Sequence, residues 1–331
     1  MSRLLEVGDL RVKIPTSEGP LYPVRSVSFA VDKGEILCIV GESGCGKSLT
    51  SLALVGLLPP RARRSAERLL FAGEDLLRAN RRRISDIRGN RIAMIFQDPM
   101  SSLNPVYTIG SQLVEVFVRH HGGGRAASRA RAVELLEKVG IPSPSERLGQ
   151  FPHQLSGGLR QRVMIAMALM CDPDLLIADE PTTALDVTIQ AQVLALLKRL
   201  QREFGLAVIL ITHDLGVVAR MADRVLVMYA GEIVEQARTE DLFARPCHPY
   251  TQGLMRCLPG RTDAGRLGTI DGTVPSMIGD LEGCAFAERC QLAFAQCRCG
   301  GIALAEAEPG HAYRCLLPPE QSLRHLREAE E

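Results

Sequence analysis

Short apolar runs bounded by glycine, proline or polar residues predict buried strands in the first three quarters of the chain. Three such runs occupy residues 36–40, 175–178 and 207–212. Between them lie longer segments with apolar residues at three-to-four spacing, which is typical of amphipathic helices. The predicted helices cover residues 49–58, 109–121, 129–139, 156–170 and 189–204. Strands that alternate with helices favour a parallel α/β core.

Apolar and polar residues alternate with period two near the N-terminus, at residues 10–14 and 24–31, which predicts antiparallel strands. Further strands are predicted at residues 68–71, 91–96, 225–228 and 232–235. The basic runs at residues 61–64 and 81–83 are interpreted as solvated surface. Beyond about residue 245, prolines, glycines and cysteines become frequent and helical periodicity fades. We therefore expect two domains, residues 1–245 and 246–331, with a helical subdomain at about 98–172.

Composition excludes some classes of function. The 331 residues carry a formal net charge of +1 and contain no tryptophan, so no nucleic-acid partner is expected. No run approaches the roughly 18 apolar residues that a membrane-spanning helix needs, and the N-terminus lacks a signal-peptide core. The protein is expected to remain in the cytosol, where it could dock on a membrane protein.

Residues 41–48 read GESGCGKS and fit the phosphate-binding pattern G-x-x-x-x-G-K-[ST]. A predicted strand precedes them and a predicted helix follows, as the motif requires. Glycines let backbone N–H groups turn towards an anion, and the helix N-terminus adds partial positive charge. Lys47 is predicted to reach the outer phosphates, and the Ser48 hydroxyl to ligate Mg²⁺. The predicted nucleotide contacts here are Gly41, Glu42, Ser43, Gly44, Cys45, Gly46, Lys47, Ser48 and Leu49.

Two adjacent carboxylates, Asp179 and Glu180, end a predicted strand. A phosphate-binding loop needs such a carboxylate, because Mg²⁺ prefers oxygen ligands. Asp179 is therefore predicted to ligate Mg²⁺, and Glu180 to act as a general base or to orient the attacking water. The alternative for this pair alone is a strand end with two solvated acids.

A second anion site is predicted at Ser156, Gly157 and Gly158, where a helix begins. Two glycines after a serine N-cap expose several N–H donors at the positive end of that helix. Because Lys47 already serves one phosphate group, this second site suggests a nucleotide held by another copy of the fold.

At this point the chain resembles the ATP-binding subunits of ABC transporters. Six segments match that family's motifs in the family's order: Walker A (residues 41–48), Q-loop (Gln97), signature (155–162), Walker B (175–180), D-loop (184–186) and switch histidine (His213). The resemblance implies a P-loop NTPase fold of the ABC type. Its parts would be a RecA-like α/β core, an antiparallel β-subdomain, an α-helical subdomain and a small cysteine-rich C-terminal extension.

The family resemblance also implies roles for residues outside the P-loop. Two ATPase domains would pair head to tail, with ATP between the P-loop of one and residues 156–158 of the other. Gln97 would contact Mg²⁺ or the attacking water, Glu180 would polarise that water, and His213 would hold the γ-phosphate. Asp186 would communicate across the pair.

Two positions depart from the family pattern. Leu159 occupies a signature position that is usually glutamine, as in the peptide-permease branch. The aromatic residue that stacks on adenine in this family aligns with Ile14, and Tyr22 is the nearby aromatic residue that could replace it.

Four cysteines in the extension, Cys284, Cys290, Cys297 and Cys315, are separated by five, six and seventeen residues. They lack the tight C-x₂-C spacing common in zinc sites. An iron–sulfur cluster tolerates wider spacing. From the residues alone, a cluster, zinc and free thiols all remain open.

The extension resembles that of oligopeptide and dipeptide permease ATPases, through residues 248–251 and the cysteine spacing, and the D-type dipeptide permease ATPases resemble the chain most. Some members of that branch carry a [4Fe–4S] cluster, so the resemblance implies one held by these four cysteines. It also implies an ATPase that energises uptake of di- and oligopeptides from the cytoplasmic face of the inner membrane, as a peripheral subunit. The implied partners are a second, related ATPase subunit, two integral-membrane permease subunits and an extracytoplasmic peptide-binding protein. Import of nickel chelates or haem is the alternative, and a soluble ABC ATPase outside transport is a further one.

Overall fold

The computed structural model of the chain describes residues 3–98, 102–183, 185–258 and 269–322. Its strands are β1 (Arg3–Thr16), β2 (Gly19–Asp32), β3 (Ile36–Val40), β4 (Arg63–Ser65), β5 (Arg68–Phe71), β6 (Glu74–Asp75), β7 (Ile92–Ile95), β8 (Leu175–Asp179), β9 (Ala207–Thr212), β10 (Arg224–Tyr229), β11 (Glu232–Arg238), β12 (Ala305–Glu308) and β13 (His311–Tyr313). Its α-helices are α1 (Lys47–Val55), α2 (Arg81–Ile87), α3 (Ile109–His121), α4 (Arg125–Lys138), α5 (Pro144–Arg147), α6 (Gly157–Ala168), α7 (Val187–Phe204), α8 (Leu215–Met221), α9 (Thr239–Ala244) and α10 (Pro249–Arg256).

The chain forms two compact units. Of the described residues, one unit contains 32–35, 78–98, 102–183 and 185–211, and the other contains 3–31, 36–77, 212–258 and 269–322. This division does not test the domain boundary expected at residue 245, which remains a prediction.

The first unit contains three parallel strands, β7, β8 and β9. Ile92 pairs with Leu175, and Leu175 pairs with Ala207. Every residue of β8 and β9 is buried, as expected for short apolar strands covered on both faces. Helices α3, α4 and α6 contact one another in the same unit. Gly110 of α3 lies against the residue that follows α5, because a Cβ there would lie 2.8 Å from the Leu148 carbonyl oxygen.

The second unit contains an antiparallel sheet with strand order β2-β1-β5-β6, to which β4 adds by pairing with β1. It also contains a mixed set of strands, in which β3 runs parallel to β10 and β10 pairs antiparallel with β11. The C-terminal extension adds β13 to β11 and β12 to β13. The buried strand β3 therefore leads straight into the glycine-rich loop.

Most predicted elements are confirmed, but four further helices (α5, α8, α9 and α10) and four short strands (β4, β6, β12 and β13) were not predicted. The basic run at residues 61–64 is not wholly solvated, because Arg64 is part-buried and donates to the Leu76 carbonyl oxygen at 3.1 Å. Helix α1 ends at Val55 because Gly56 adopts the left-handed C-cap conformation, so the helix stops before the prolines expected to end it. The basic run at residues 81–83 is the first turn of α2, a helix that was not predicted. Asn80 caps α2 by accepting the Arg83 N–H. No helix in the described ranges is both long enough and apolar enough to cross a bilayer.

Candidate functional site

The glycine-rich loop of residues 41–48 joins β3 to α1 and packs tightly on its own unit. Gly46 is the N-cap of α1 at φ 104°. A Cβ at Gly46 would lie 2.0 Å from the Pro23 carbonyl oxygen, and one at Gly41 would lie 2.1 Å from that of Met228. Only glycine fits at these two positions, because their backbone approaches neighbouring carbonyl groups so closely.

Lys47 is held at the base of this loop. Its side chain is buried, and Nζ donates to the carbonyl oxygens of Gly41 and Glu42 at 2.8 and 2.9 Å. Cys45 Sγ lies 3.8 Å from the same Nζ. Burial raises the pKa of the Cys45 thiol, although nearby Lys47 opposes that shift. The Cys45 thiol is therefore neutral.

The loop fits a bound phosphate chain. Gly44 is exposed at the tip of the loop, and a Cβ there would meet no atom within 4 Å. Helix α1 begins at Lys47 without a side-chain cap, so its N-terminal turn is not satisfied by a capping side chain. Backbone N–H groups in the first turn of a helix can donate to phosphate oxygens, so the predicted phosphate contacts are compatible with this geometry.

In the first unit, Glu180 follows β8 and accepts two hydrogen bonds. Gln97 Nε2 donates to its Oε2 at 3.0 Å, and Thr183 Oγ1 donates to the same oxygen at 2.9 Å. The Glu180 N–H donates to the Ile211 carbonyl oxygen, and its φ of 44° lies in the left-handed region. Strained backbone of this kind is concentrated at functional sites. The structure thus brings together two predicted site residues, and Thr183 is a third that sequence reasoning missed.

Asp179 is the last residue of β8 and is buried. It directly precedes the strained Glu180. Of these two adjacent acids, Asp179 is buried and Glu180 is partly exposed. The carboxylate of Asp179 therefore lies at the end of a buried strand, where the sequence predicts a Mg²⁺ ligand.

The predicted second anion site lies at the start of α6. Ser156 caps this helix by accepting the Leu159 N–H at 3.4 Å, and Ser156 and Gly157 are exposed. A Cβ at Gly158 would lie 2.9 Å from Ile189 Cγ2 of α7. The Ser156 hydroxyl is therefore engaged within its own chain, while the exposed helix end remains accessible to another molecule.

Asp186 is exposed and caps α7, accepting the Ile189 N–H at 2.9 Å. Because Gly158 packs on Ile189, the starts of α6 and α7 lie side by side within the first unit. Ala184, the first residue of the predicted D-loop, lies outside the described residues.

His213 follows the last residue of β9 and is exposed. It belongs to the second unit. Its neighbour Asp214 caps α8 by accepting the N–H groups of Gly216 and Val217 at 2.7 and 3.3 Å. This cap fixes the turn on which His213 lies.

Tyr22, the candidate adenine contact, lies on β2 beside the P-loop, because Pro23 is the residue whose carbonyl faces Gly46. The Tyr22 N–H donates to Met277 of the extension at 2.8 Å, and Lys13 Nζ lies 5.7 Å from its ring centroid. The Tyr22 backbone therefore contacts the extension, and the residue that follows it, Pro23, contacts the P-loop.

The four predicted cluster ligands, Cys284, Cys290, Cys297 and Cys315, line one small apolar cavity together with Phe286. Burial raises the pKa of Cys284 to about 11, and it raises the pKa of Cys290 and Cys315 as well. These thiols are therefore neutral in this environment.

A different group meets the distance expected of metal ligands. This group is Glu235, Cys247 and His311, whose potential ligand atoms lie within 4.8 Å of one another. It is the group of three or more such side chains found in the described ranges. Glu235 already accepts the Cys247 and His248 N–H groups and pairs with His311 Nε2 at 2.8 Å. The group is explained as a buried hydrogen-bond network that joins β11, β13 and the start of α10.

Comparison with known families and proteins agrees with this geometry. Residues 24–183 match the family described as ABC transporter, and residues 234–297 match the family described as the C-terminal region of oligopeptide/dipeptide transporters. The first match includes the P-loop, Gln97, the start of α6 and the two acids Asp179 and Glu180.

Several curated relatives cover almost the whole chain. A probable peptide ABC transporter ATP-binding protein, y4tR of Sinorhizobium fredii, is 52% identical over 94% of this chain and 94% of its own length. The dipeptide transport ATP-binding protein DppD of Escherichia coli is 48% identical over 97% of this chain and 98% of its own. Among solved structures, the dimeric ATP-binding cassette MJ0796 bound to ADP and Pi has a TM-score of 0.64 at 26% identity, covering 71% of this chain and 98% of that one.

The fold and these residues define a P-loop ATPase of the ABC type. The chain belongs to the ABC transporter family, as one of its ATP-binding proteins, and the ATPases of this family bind and hydrolyse ATP with Mg²⁺.

The predicted [4Fe–4S] cluster was wrong. The matched families and relatives are described as transporters and transport ATP-binding proteins, and none of these descriptions is that of an iron–sulfur protein. The physical reason for the error is that wide cysteine spacing does not distinguish cluster ligands from neutral thiols packed around an apolar cavity, as Cys284 and its neighbours are.

Proposed function

We propose that this chain is the ATPase subunit of an importer of di- and oligopeptides. The observation that carries the substrate class is the match of residues 234–297 to the C-terminal region of oligopeptide/dipeptide transporters. The names of the relatives, which are peptide and dipeptide transport proteins, support it independently. Import of nickel chelates or haem has no comparable support.

The proposed chemistry begins with Lys47, whose ammonium is already held at the base of the P-loop by two carbonyl groups. On binding, its donors would turn from these carbonyls towards the outer phosphates. Mg²⁺, when bound, neutralises charge on the phosphates, and the proposal assigns its ligands to Ser48, Asp179 and Gln97. His213 would donate to the γ-phosphate as charge develops there.

Glu180 is the proposed general base. Its Oε2 accepts from both Gln97 and Thr183, and these two donors fix the carboxylate in one orientation. In that orientation the Glu180 carboxylate would accept the proton of the attacking water. Gln97 is thereby linked directly to the base, so a displacement of Gln97 changes the orientation of Glu180.

The test is a conservative substitution at this carboxylate. Glu180→Gln keeps the shape of the side chain but removes the base, so we expect ATP hydrolysis to fall at least about 100-fold while ATP still binds. The matched control is Glu18→Gln, the same substitution at an exposed residue in the turn between β1 and β2. Hydrolysis by Glu180→Gln at the rate of the control would contradict the assignment.

The proposal also includes partners and location. The chain would work at the cytoplasmic face of the inner membrane, paired head to tail with a second ATP-binding subunit through the exposed starts of α6 and α7. It would drive two membrane permease subunits supplied by an external peptide-binding protein. Co-purified permease partners, reconstituted in proteoliposomes with the binding protein, should show ATP hydrolysis that peptide stimulates. Stimulation by a nickel chelate or haem instead of peptide would contradict the substrate class.

A further inference from the structure

One side chain of the C-terminal extension, Arg289, reaches the P-loop. Its Nη1 and Nη2 donate to the two carboxylate oxygens of Glu42 at 2.6 and 3.0 Å. Nη1 also donates to Tyr229 Oη at 3.3 Å, while Nη2 and Nε donate to the carbonyl oxygens of Ile270 and Asp271 at 3.0 and 2.8 Å. These contacts use all the donors that a guanidinium offers. The arginine is thus fixed in one geometry.

The pair is largely shielded from solvent. The side chain of Arg289 is 5% exposed and that of Glu42 is 30% exposed. Hydrogen bonding to Glu42 raises the pKa of Arg289 despite its burial. An exposed ion pair contributes little, but a buried bidentate pair fixes the positions of both partners. Removing Glu42 leaves the buried Arg289 without its counter-ion, and removing Arg289 leaves the partly buried Glu42 carboxylate unpaired.

Glu42 is the second residue of the P-loop, and its backbone is held as firmly as its side chain. Its N–H donates to Tyr250 Oη at 2.9 Å, and Tyr250 belongs to α10. Its carbonyl oxygen accepts from Lys47 Nζ at 2.9 Å. A continuous path therefore connects the extension to the Lys47 ammonium. It runs from Arg289 through the Glu42 side chain and backbone to the hydrogen bond with Lys47 Nζ.

The pattern G-x-x-x-x-G-K-[ST] does not require this arrangement, because any residue is allowed at the position of Glu42. A glutamate there brings a negative charge close to the site where negative phosphates bind. Arg289 neutralises that charge and directs it away from Lys47. Without Arg289, the Glu42 carboxylate would be free to repel phosphate or to pair with the Lys47 ammonium.

We propose that Arg289 is a positioning residue for ATP: by holding Glu42 it sets the P-loop geometry that presents Lys47 to the phosphates. The C-terminal extension would then be a working part of the nucleotide site. This inference rests on the proposed role of residues 41–48 in phosphate binding.

The test is a double-substitution cycle on the full-length chain, with the dissociation constant for MgATP measured by displacement of a fluorescent ATP analogue. Arg289→Met and Glu42→Gln should each change that constant, and the two effects should not be additive, because the residues act as a pair. We expect Arg289→Met to weaken ATP binding on the order of tenfold. Arg289→Met with Glu42→Gln should bind ATP more tightly than Arg289→Met alone, because the unpaired charge is gone. Arg289→Lys should restore part of the affinity, since lysine keeps the charge but not the bidentate geometry.

Two controls separate the possible failures. Arg298→Met removes another arginine of the extension, one whose ion pair with Glu288 is exposed, and it should bind ATP as the parent does. Lys47→Ala must lose ATP binding, and its failure to do so would overturn the role of the P-loop itself. If Lys47→Ala loses binding but Arg289→Met and Arg289→Lys keep the parent affinity within twofold, only the positioning role is overturned.

Global destabilisation is excluded by the same set of variants. Urea unfolding midpoints are measured for each, because a merely structural role would lower the midpoint and leave the ATP affinity of the folded protein unchanged. Should Arg289→Met fail to fold, Glu42→Gln and Arg289→Lys decide the question, since both keep the size of the side chain. Independent, additive effects of the substitutions at 42 and 289 on ATP affinity would also overturn the proposal.

Discussion

Replacement of Gly46 by alanine tests whether the P-loop depends on close backbone packing. Gly46 has a φ of 104°, and a Cβ there would lie 2.0 Å from the Pro23 carbonyl oxygen and 3.0 Å from Met228 Cε. Gly44, two residues earlier in the same loop, also has a positive φ, of 81°. A Cβ at Gly44 meets no atom within 4 Å. Gly44→Ala is therefore a matched control for the steric overlap.

The expected losses in the free energy of unfolding differ because only one variant adds an overlap to the backbone cost. A non-glycine residue in the left-handed region costs about 1–2 kcal/mol, and both variants bear that cost. The overlap with Pro23 forces the loop or β2 to move, and overpacking of this kind costs about 1–3 kcal/mol more. We therefore expect a loss of about 1–2 kcal/mol for Gly44→Ala and about 2–5 kcal/mol for Gly46→Ala.

Urea unfolding followed by circular dichroism, without nucleotide and at one temperature, measures both losses. MgATP binding measured in parallel should fall more for Gly46→Ala, because the displaced turn is the one that directly precedes Lys47. Equal losses of stability in the two variants, or an unchanged ATP affinity in Gly46→Ala, would refute the packing argument.

Three further predictions concern the core, the extension and the base contact. Leu210→Ala creates a cavity at a fully buried position in β9 and should lower the free energy of unfolding by about 2–5 kcal/mol. Val187→Ala, at a residue that is 82% exposed, should change it by less than about 0.5 kcal/mol. Denaturant titration of both variants measures the difference. Burial lowers the pKa of His248 to about 3, so the unfolded chain binds a proton there below pH 6.5 while the folded chain does not, and stability falls with falling pH by about 2 kcal/mol between pH 7 and pH 5. His248→Asn, which keeps a cap for the Tyr250 N–H, should remove that part of the pH dependence, and an unchanged slope in urea titrations at the two pH values would contradict it. Tyr22→Ala should weaken ATP binding about 5- to 100-fold, as lost base stacking does, with kcat unchanged at saturating ATP; unaltered affinity would show that another residue contacts the adenine.

Features set by neighbouring residues could be predicted from the sequence. The strand β3, the P-loop and the start of α6 each depend on a run of a few residues, and a serine followed by two glycines is enough to indicate a helix start. Helix α2 escaped prediction because of its seven residues only Ile87 is buried, which leaves no apolar period to detect. The end of α1 was misplaced because Gly56, a left-handed C-cap, stops the helix before Pro59 can.

Contacts between distant residues could not be predicted from one sequence. Gln97 and Glu180 are 83 positions apart, and Glu42 and Arg289 are 247 apart. Both members of the first pair were predicted site residues, because each belongs to a motif, but nothing in the sequence indicates that one donates to the other. Arg289 lies in no recognised motif, and its only signal was its place beside Cys290. The cysteines drew attention to that region for a chemistry that proved wrong.

The P-loop itself shows why a motif describes only part of a site. Ser43 and Gly44 at the tip are exposed, whereas Cys45 is buried and Glu42 is tied to the extension. The fixed positions of the motif are set by the contacts to phosphate, which is the same ligand in every such protein. The variable positions are set by contacts to the surrounding protein, which differ from one protein to another. A substitution at Glu42 should therefore change ATP binding through Arg289, although the motif permits any residue there.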